Sequence, residues 1–418
     1  MKIVGIIAEY NPFHNGHRYH IETARRLSGC DFVVAAMSGS FVQRGEPAIF
    51  DKWSRAEMAV EAGADLVIEL PFVFAVRSAQ YFAAGGVRLL SALGAVTHLS
   101  FGAEHADLGA LAKLAEAADE EATVRAVRDH LSRGVAYASG LGRALADRTG
   151  LAAEISASPN NILAIEYLRS LRRFAPAITP VPVQRQSAAH HDPAITGTVA
   201  SATAIRKALT EGAVGKAEQA IPPVSAGLVR ALLDGGEGPV EYSAFSQLIL
   251  ARLRLAPLAS LAELPEMSEG LHYKLKEAAL AATDLEELLA TVKSKRYART
   301  RLQRLFIHAL LQSSKARMAL FDAAGPLYAR VLAFNSRGRS ILRHIALSSA
   351  IPVITKTAHF LNSRTLSSGT LSPLQEMLGA DILATDIHVL GRPNPRSRLG
   401  GLDFCRSPRC IPCRPSGV

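Results

Sequence analysis

Lys2-Ile3-Val4-Gly5-Ile6-Ile7-Ala8, followed by Glu9-Tyr10-Asn11-Pro12-Phe13-His14-Asn15-Gly16-His17, is the stretch that decides the fold. Val4, Ile6 and Ile7 mark a short buried strand, Asn11-Pro12-Phe13 turns the backbone, and a helical pattern runs from Asn15 to about Leu27. His14 and His17 are three residues apart and share one face of the first helical turn. Unpaired backbone N–H groups and the positive end of the helix dipole are expected to point out at the same place. Two imidazoles beside free amides suit a triphosphate and the charge that builds up when its α-phosphorus is attacked. Gly16 is read as the residue that lets a nucleotide approach the backbone.

Working outward, the first two hundred or so residues alternate strand and helix. Strands are expected at Lys2–Ala8, Asp31–Met37, Asp65–Leu70, His98–Phe101 and Ile178–Gln184. Helices are expected between them at Asn15–Leu27, Lys52–Ala62 and Ser78–Leu93, with a mostly helical insertion over Asp107–Arg148. That order implies α/β architecture: a Rossmann-like domain with a parallel sheet and right-handed crossovers. Ligands of such sheets bind beyond the carboxyl ends of the strands, where the Asn11–His17 turn and Gly102 both fall. From Gly212 no strand is expected before Ile351–Ile354, so an α-helical C-terminal domain follows. The division is a nucleotidyltransferase-like domain at 1–211, a helical basic domain at 212–345, and a C-terminal segment at 346–418 with a flexible Arg/Pro/Cys tail.

The chain has 418 residues and a formal net charge of +10, unevenly spread. Between Lys293 and His344 stand twelve basic residues, Lys293, Lys295, Arg296 and Arg299 among them, against the single acid Asp322. A run so one-sided on helices suits a polyanion better than a merely solvated face. Lys52 and Arg55, three apart on a helix after a glycine-bearing loop, are placed to reach phosphate or RNA. No apolar run is long enough to cross a bilayer, and Met1-Lys2-Ile3-Val4 enters the first strand with no signal-peptide pattern, so a cytoplasmic protein without a membrane partner is expected. Cys30 reads as a small buried hydrophobe. Cys410-Ile411-Pro412-Cys413 has metal-ligand spacing with Cys405 nearby, but lacks a second such pair, and the reading is a tail with no metal site.

A second phosphate element is Ser201-Ala202-Thr203-Ala204-Ile205-Arg206. Ser201 is an N-cap, and Thr203 and Arg206 face the same way from the helix that follows. His14-Asn15-Gly16-His17 resembles the HxGH signature of the nucleotidyltransferase superfamily, and Ser201–Arg206 resembles its ISSTxxR element, which binds β- and γ-phosphates.

The wider pattern narrows this further. Glu9–His17, Ser38–Lys52, Ala64–Pro71, Ser100–Glu104, Pro159–Tyr167, Ser294–Tyr297 and Gly400–Phe404 together resemble the tRNA(Met) cytidine acetate ligase (TmcAL) family. The resemblance implies activation of acetate by ATP to acetyl-adenylate, then acetylation of the wobble cytidine of elongator tRNA(Met). It implies ATP contacts along Ile7, Ala8, Glu9, Tyr10, Asn11, Pro12, Phe13, His14, Asn15, Gly16, His17, Arg18, Tyr19 and His20, and at Gly102, Asn161, Arg185, Gln186, Ser201, Thr203 and Arg206. The sequence departs from the family after Arg185: the arginine matches the first residue of a usual Arg-Ile-Gly-Ala-x-Tyr-His-Asp, but Gln186-Ser187-Ala188-Ala189-His190-His191-Asp192 follows.

His14, His17 and Arg206 are the expected electrostatic stabilisers of the adenylation step. Magnesium would travel with ATP, since no Asp/Glu cage is evident. Two other readings compete: an HxGH adenylyltransferase of cofactor biosynthesis acting on a small phosphate ester, and a non-catalytic RNA-binding protein.

Overall fold

Val33, Ala35 and Met37 of the second strand pack on one side of the central sheet with Val4 and Ile6, while Val34 and Ala36 pack on the other with Ile3 and Ile7. Burial of both faces is why these strands read as apolar runs without alternation. The structure is a computed structural model, and it describes residues 1–133, 135, 137–151, 155, 158–185, 195, 197–268, 270–294, 296–367 and 369–412. Strands β1 (Ile3–Ala8), β2 (Phe32–Ser38), β3 (Leu66–Leu70), β4 (His98–Ala103) and β5 (Thr179–Gln184) are parallel, in the order β5-β4-β1-β2-β3. Helices α1 (Asn15–Ser28) and α2 (Lys52–Glu61) cover one face; α3 (Ala79–Ala92) and α4 (Pro159–Phe174) cover the other. The expected α/β class with a parallel sheet is the observed one.

One strand runs against expectation. β6 (Ala329–Phe334) lies within the stretch read as free of strands, and pairs antiparallel with β3, Leu66 opposite Phe334 and Glu69 opposite Arg330. Ala329-Arg330-Val331-Leu332-Ala333 is buried throughout, and a short apolar run of that kind has no period to tell strand from helix. β7 (Val353–Ile354) and β8 (Arg409–Cys410) share the outer edge of β6. The Arg-rich tail, expected to be loose from Arg406, is therefore docked as far as Ile411, whose N donates to Phe334 O. Arg406 pairs with Asp51 at 3.2 Å and lies over the Trp53 ring. Cys413 lies outside the described residues.

The antiparallel course of β6 sends the chain to the amino ends of the parallel strands. There α7 (Ser336–Ser348) begins, its cap Asn335 bonded to Ala64 and Asp65 at the start of β3. The earlier basic helix α6 (Arg299–Leu310) sits instead on the loop that follows β2, at the carboxyl ends. The single basic run of the sequence is thus divided between opposite ends of the sheet. Apolar side chains of the helical region, including Phe245, Leu275, Leu288 and Phe306, continue the core of the α3/α4 face. Among the described residues no helix is long and apolar enough to cross a membrane.

Candidate active site

Beyond β1 the backbone turns through Tyr10, at φ 46°, and reaches His14 in extended conformation as the cap of α1. His14 Nδ1 accepts from the Gly16 amide at 3.1 Å, and His17 Nδ1 accepts from the His14 amide at 3.3 Å. This reciprocal cap fixes both rings. A neutral imidazole that accepts at Nδ1 carries its proton at Nε2. Neither Nε2 has a partner among the described residues, so each ring offers one N–H. The rings stack at 3.7 Å between centroids, 25° apart. Tyr10 and Phe13 wall them in, at 4.9 and 5.5 Å from the His17 ring, with their own side chains in the core.

Burial holds the His14 pKa down at about 3, reinforced by the charges of Arg185 and Arg206. The same burial, with His14 and Arg185 nearby, holds His17 well below its ordinary value. His20 continues the stripe, bonded to Ser100 Oγ at 3.0 Å, and burial followed by Arg185 lowers its pKa to about 4. All three rings are neutral near pH 7. The cradle therefore offers neutral N–H donors, backed by two arginines.

One expectation about this turn is corrected. The first-turn amides are not free: Asn15 N donates to Ala220 O, Gly16 N to His14 Nδ1, and His17 and Arg18 N to His14 O. Asn15 Nδ2 adds bonds to Thr198 and Gln219, tying α1 to segments on either side of Ser201. Gly16 has a further reason besides the one inferred. A Cβ there would stand 2.9 Å from His14 Cε1, so the glycine makes room for the imidazole itself.

The second phosphate element arrives at the same corner. Ser201 Oγ caps helix α5 (Ala202–Thr210) by accepting from Ala204 N at 3.1 Å. One turn on, Arg206 Nη1 donates to the Asn11 carbonyl at 2.9 Å, and Nη2 faces Glu46 at 3.3 Å and Thr203 Oγ1 at 3.4 Å. Arg206 thus rests on the backbone of the turn that carries His14. Across β1, Arg185 N bonds Ala103 O at the ends of β4 and β5, and its stem lies where a Cβ on Gly102 would sit, at 3.3 Å. Arg185 Nη1 reaches Asn160 Oδ1 at 3.4 Å.

Asn161, preferred on sequence, is fully buried. Its Oδ1 accepts from His105 N and its Nδ2 donates to Ile155 O. It is Asn160 that faces Arg185. Glu104 holds both asparagines, accepting from Asn160 Nδ2 at 2.6 Å and Asn161 N at 2.9 Å. Gln186 and Lys295 lie outside the described residues.

Lys52 and Arg55, read as reaching phosphate or RNA, do neither here; both side chains are wholly buried. Lys52 Nζ bonds Glu69 at 2.8 Å and Asp403 at 2.7 Å. Arg55 donates to the carbonyls of Phe50, Ser38, Gly39 and Glu9, so it ties the ends of β1 and β2 together. Their partners lie far along the chain, which a helical-face reading could not see. Among the other basic candidates, Lys293 and Arg296 are exposed, and Arg299 pairs with Glu286 at 2.6 Å.

Glu46, the partner of Arg206, carried no sequence signal of its role. Glu9, among the ATP contacts the resemblance implied, is half-buried, accepts from Gln43 N at 2.7 Å, and has its pKa raised by desolvation. Among the described residues no cluster of three or more His, Cys, Asp or Glu is placed to hold a metal ion.

The family model of HIGH nucleotidyl transferases matches residues 1–401. The tRNA(Met) cytidine acetate ligase of Thermoanaerobacter sp. (strain X514) is 41% identical over 97% of this chain and 98% of its own length. That of Syntrophomonas wolfei is 40% identical over 98% and 99% respectively. The crystal structure of Thermotoga maritima TmcAL bound with alpha-thio ATP superposes with a TM-score of 0.90 at 30% identity, covering 99% of this chain and all of that one.

Proposed function

The chain belongs to the HIGH nucleotidyl transferases and, among them, to the tRNA(Met) cytidine acetate ligases; from that membership we propose that it activates acetate with ATP and transfers the acetyl group to the wobble cytidine of elongator tRNA(Met). In the first step an acetate oxygen attacks the α-phosphorus and pyrophosphate leaves. The developing charge falls on phosphate oxygens, so catalysis is positioning plus electrostatic stabilisation. The Nε2–H groups of His14 and His17 are preset donors, needing no proton transfer and little reorganisation. Arg206 takes the leaving pyrophosphate, and Arg185 lies on the other flank. Magnesium travels with the triphosphate rather than in a protein cage. In the second step the cytidine N4 lone pair attacks the acetyl carbonyl, the bond to AMP breaks, and N4 loses a proton. The exposed Lys293 and Arg296 and the N-terminal end of α6 offer the surface on which tRNA would lie.

The observation that carries this reading is the meeting of two elements almost two hundred residues apart: Arg206 donates to the carbonyl of Asn11, within the turn that presents both imidazoles. The test is incubation with ATP, labelled acetate and bulk tRNA, followed by nucleoside analysis. Label in N4-acetylcytidine is the expected outcome. AMP transfer to a phosphate ester would favour a cofactor-type adenylyltransferase instead. RNA binding without ATP turnover would leave a non-catalytic RNA-binding protein.

A further inference from the structure

We propose that Glu46 is a positioning residue of the triphosphate site, whose carboxylate competes with the β- and γ-phosphates for the Arg206 guanidinium. The inference rests on the reading that Arg206 binds the polyphosphate of ATP. Three observations carry it.

The first is the pair itself. Arg206 Nη1 is anchored on the Asn11 carbonyl at 2.9 Å, which leaves Nη2 turned towards side chains, facing Glu46 Oε2 at 3.3 Å and Thr203 Oγ1 at 3.4 Å. The side chains of Arg206 and Glu46 are 26% and 29% exposed, so neither is locked in the core. The bond is long enough and wet enough to exchange for a phosphate oxygen.

The second is the rigidity of what carries Glu46. Its loop is closed by Val42 N to Glu46 O, Gly45 N to Val42 O and Ala48 N to Ser40 O, each at 2.9 Å. Phe41 anchors one end against Phe72 and Phe245. Gly45, at φ +77°, lies so close to α6 that a Cβ would come 2.5 Å from the Gln303 carbonyl carbon. Glu46 therefore cannot retreat with its backbone when a polyanion arrives. Either it gives up Arg206, or it stays beside a phosphate of like charge. Both outcomes weaken polyphosphate binding.

The third is that the competition is confined to one end of the nucleotide. His14 and His17 belong to α1, and no described hydrogen bond joins them to Glu46. A group bound by the imidazoles, as the α-phosphate is read to be, does not lose its donors to Glu46. After adenylation, recapture of Arg206 by Glu46 would speed pyrophosphate departure while the acyl-adenylate stays held. Glu46 thus trades ATP affinity for product release.

The experiment is calorimetric titration of the full chain and its Glu46→Gln and Glu46→Asp variants with pyrophosphate, ATP and AMP, without acetate or RNA. Glu46→Gln should bind pyrophosphate and ATP roughly five-fold more tightly, as expected for loss of a part-exposed competing charge. AMP affinity should be unchanged, which also reports an intact fold, and Glu46→Asp should restore weak pyrophosphate binding. A Glu46→Gln protein that binds pyrophosphate no more tightly than the parent, or that gains equally for AMP, overturns the proposal. If the parent itself binds neither ATP nor pyrophosphate, the ATP reading fails and takes this one with it. If the parent binds ATP and only the Glu46→Gln gain is missing, Glu46 alone is misassigned.

Discussion

His14, His17, Arg185 and Arg206 at the end of β1, and Lys52, Glu69, Arg330 and Asp403 a strand or two away, are built from the same ionisable chemistry with opposite outcomes. In the second group every charge has a partner. Lys52 bonds Glu69 and Asp403, and Arg330 bonds the same two carboxylates. Those pairings hold the Asp403 carboxyl below its ordinary pKa despite burial, and raise that of Arg330. In the first group burial without an opposite charge removes the protons from the imidazoles. The difference teaches that a buried polar group becomes a binding element when its donors lack protein partners. The paired cluster instead fastens the last turns of the chain, through Asp403, to the middle of the sheet.

The sharpest way to break this comparison is Lys52→Ala. It strands two buried carboxylates on Arg330 alone, and should cost about 3–5 kcal/mol of stability in urea unfolding. A stable Lys52→Ala protein that instead lost RNA affinity would return Lys52 to the surface role first read for it. Next comes His14→Ala or His17→Ala. Each removes a preset donor and should lower acetate-dependent AMP formation by about 10²–10³-fold with the thermal transition little changed. Full activity in both variants would sink the site assignment.

The two ends of the basic run give a smaller and more selective contrast. Arg296→Glu with Arg299→Glu should weaken tRNA binding by roughly ten-fold and flatten its salt dependence, leaving ATP binding alone. Arg339→Glu with Arg343→Glu, on α7 at the far end of the sheet, should do neither. Equal losses from both pairs in a filter-binding assay would mean that tRNA wraps the molecule.

A further contrast is in pH. His14 is held at about 3, and His20, His308 and His388 at about 4, mainly by burial, whereas the unfolded chain protonates near 6.5. Between these values the unfolded state binds more protons, so stability rises with pH and is lost on acidification from about 6.5 towards 4. With Nδ1 of His14 and His17 engaged by backbone amides, both rings should stay neutral when ATP binds near pH 7, readable as a calorimetric heat independent of buffer ionisation enthalpy. Proton uptake on binding would mean that the cap opens when the phosphates arrive.

Much of this was legible because it is local. A strand, a turn and two imidazoles at a helix start lie within fifteen residues, and Ser201 caps its helix from the adjoining position. The parallel strands announced themselves by composition, being covered on both faces. β6 did not, because Ala329-Arg330-Val331-Leu332-Ala333-Phe334 carries a charge whose partners, Glu69 and Asp403, lie in remote segments on either side of it in the chain. Arg55 looked like an exposed first-turn residue because the carbonyls it binds belong to other elements.

By itself, then, the chain's order of residues determined the alternation of strands and helices, the reciprocal histidine cap and the second capped helix. Each depends on neighbours within a few positions and on hydrophobic periods written into the segment. Only the tertiary structure decided which charges are spent inside and which are left with donors to offer. That choice determines the fate of Lys52 and Arg55, the engagement of the Asn15 amide by Ala220, and the facing of Arg206 by Glu46. The physical reason is that desolvation and pairing are set by what folds against a group, and the groups that fold together here are drawn from both ends of the chain.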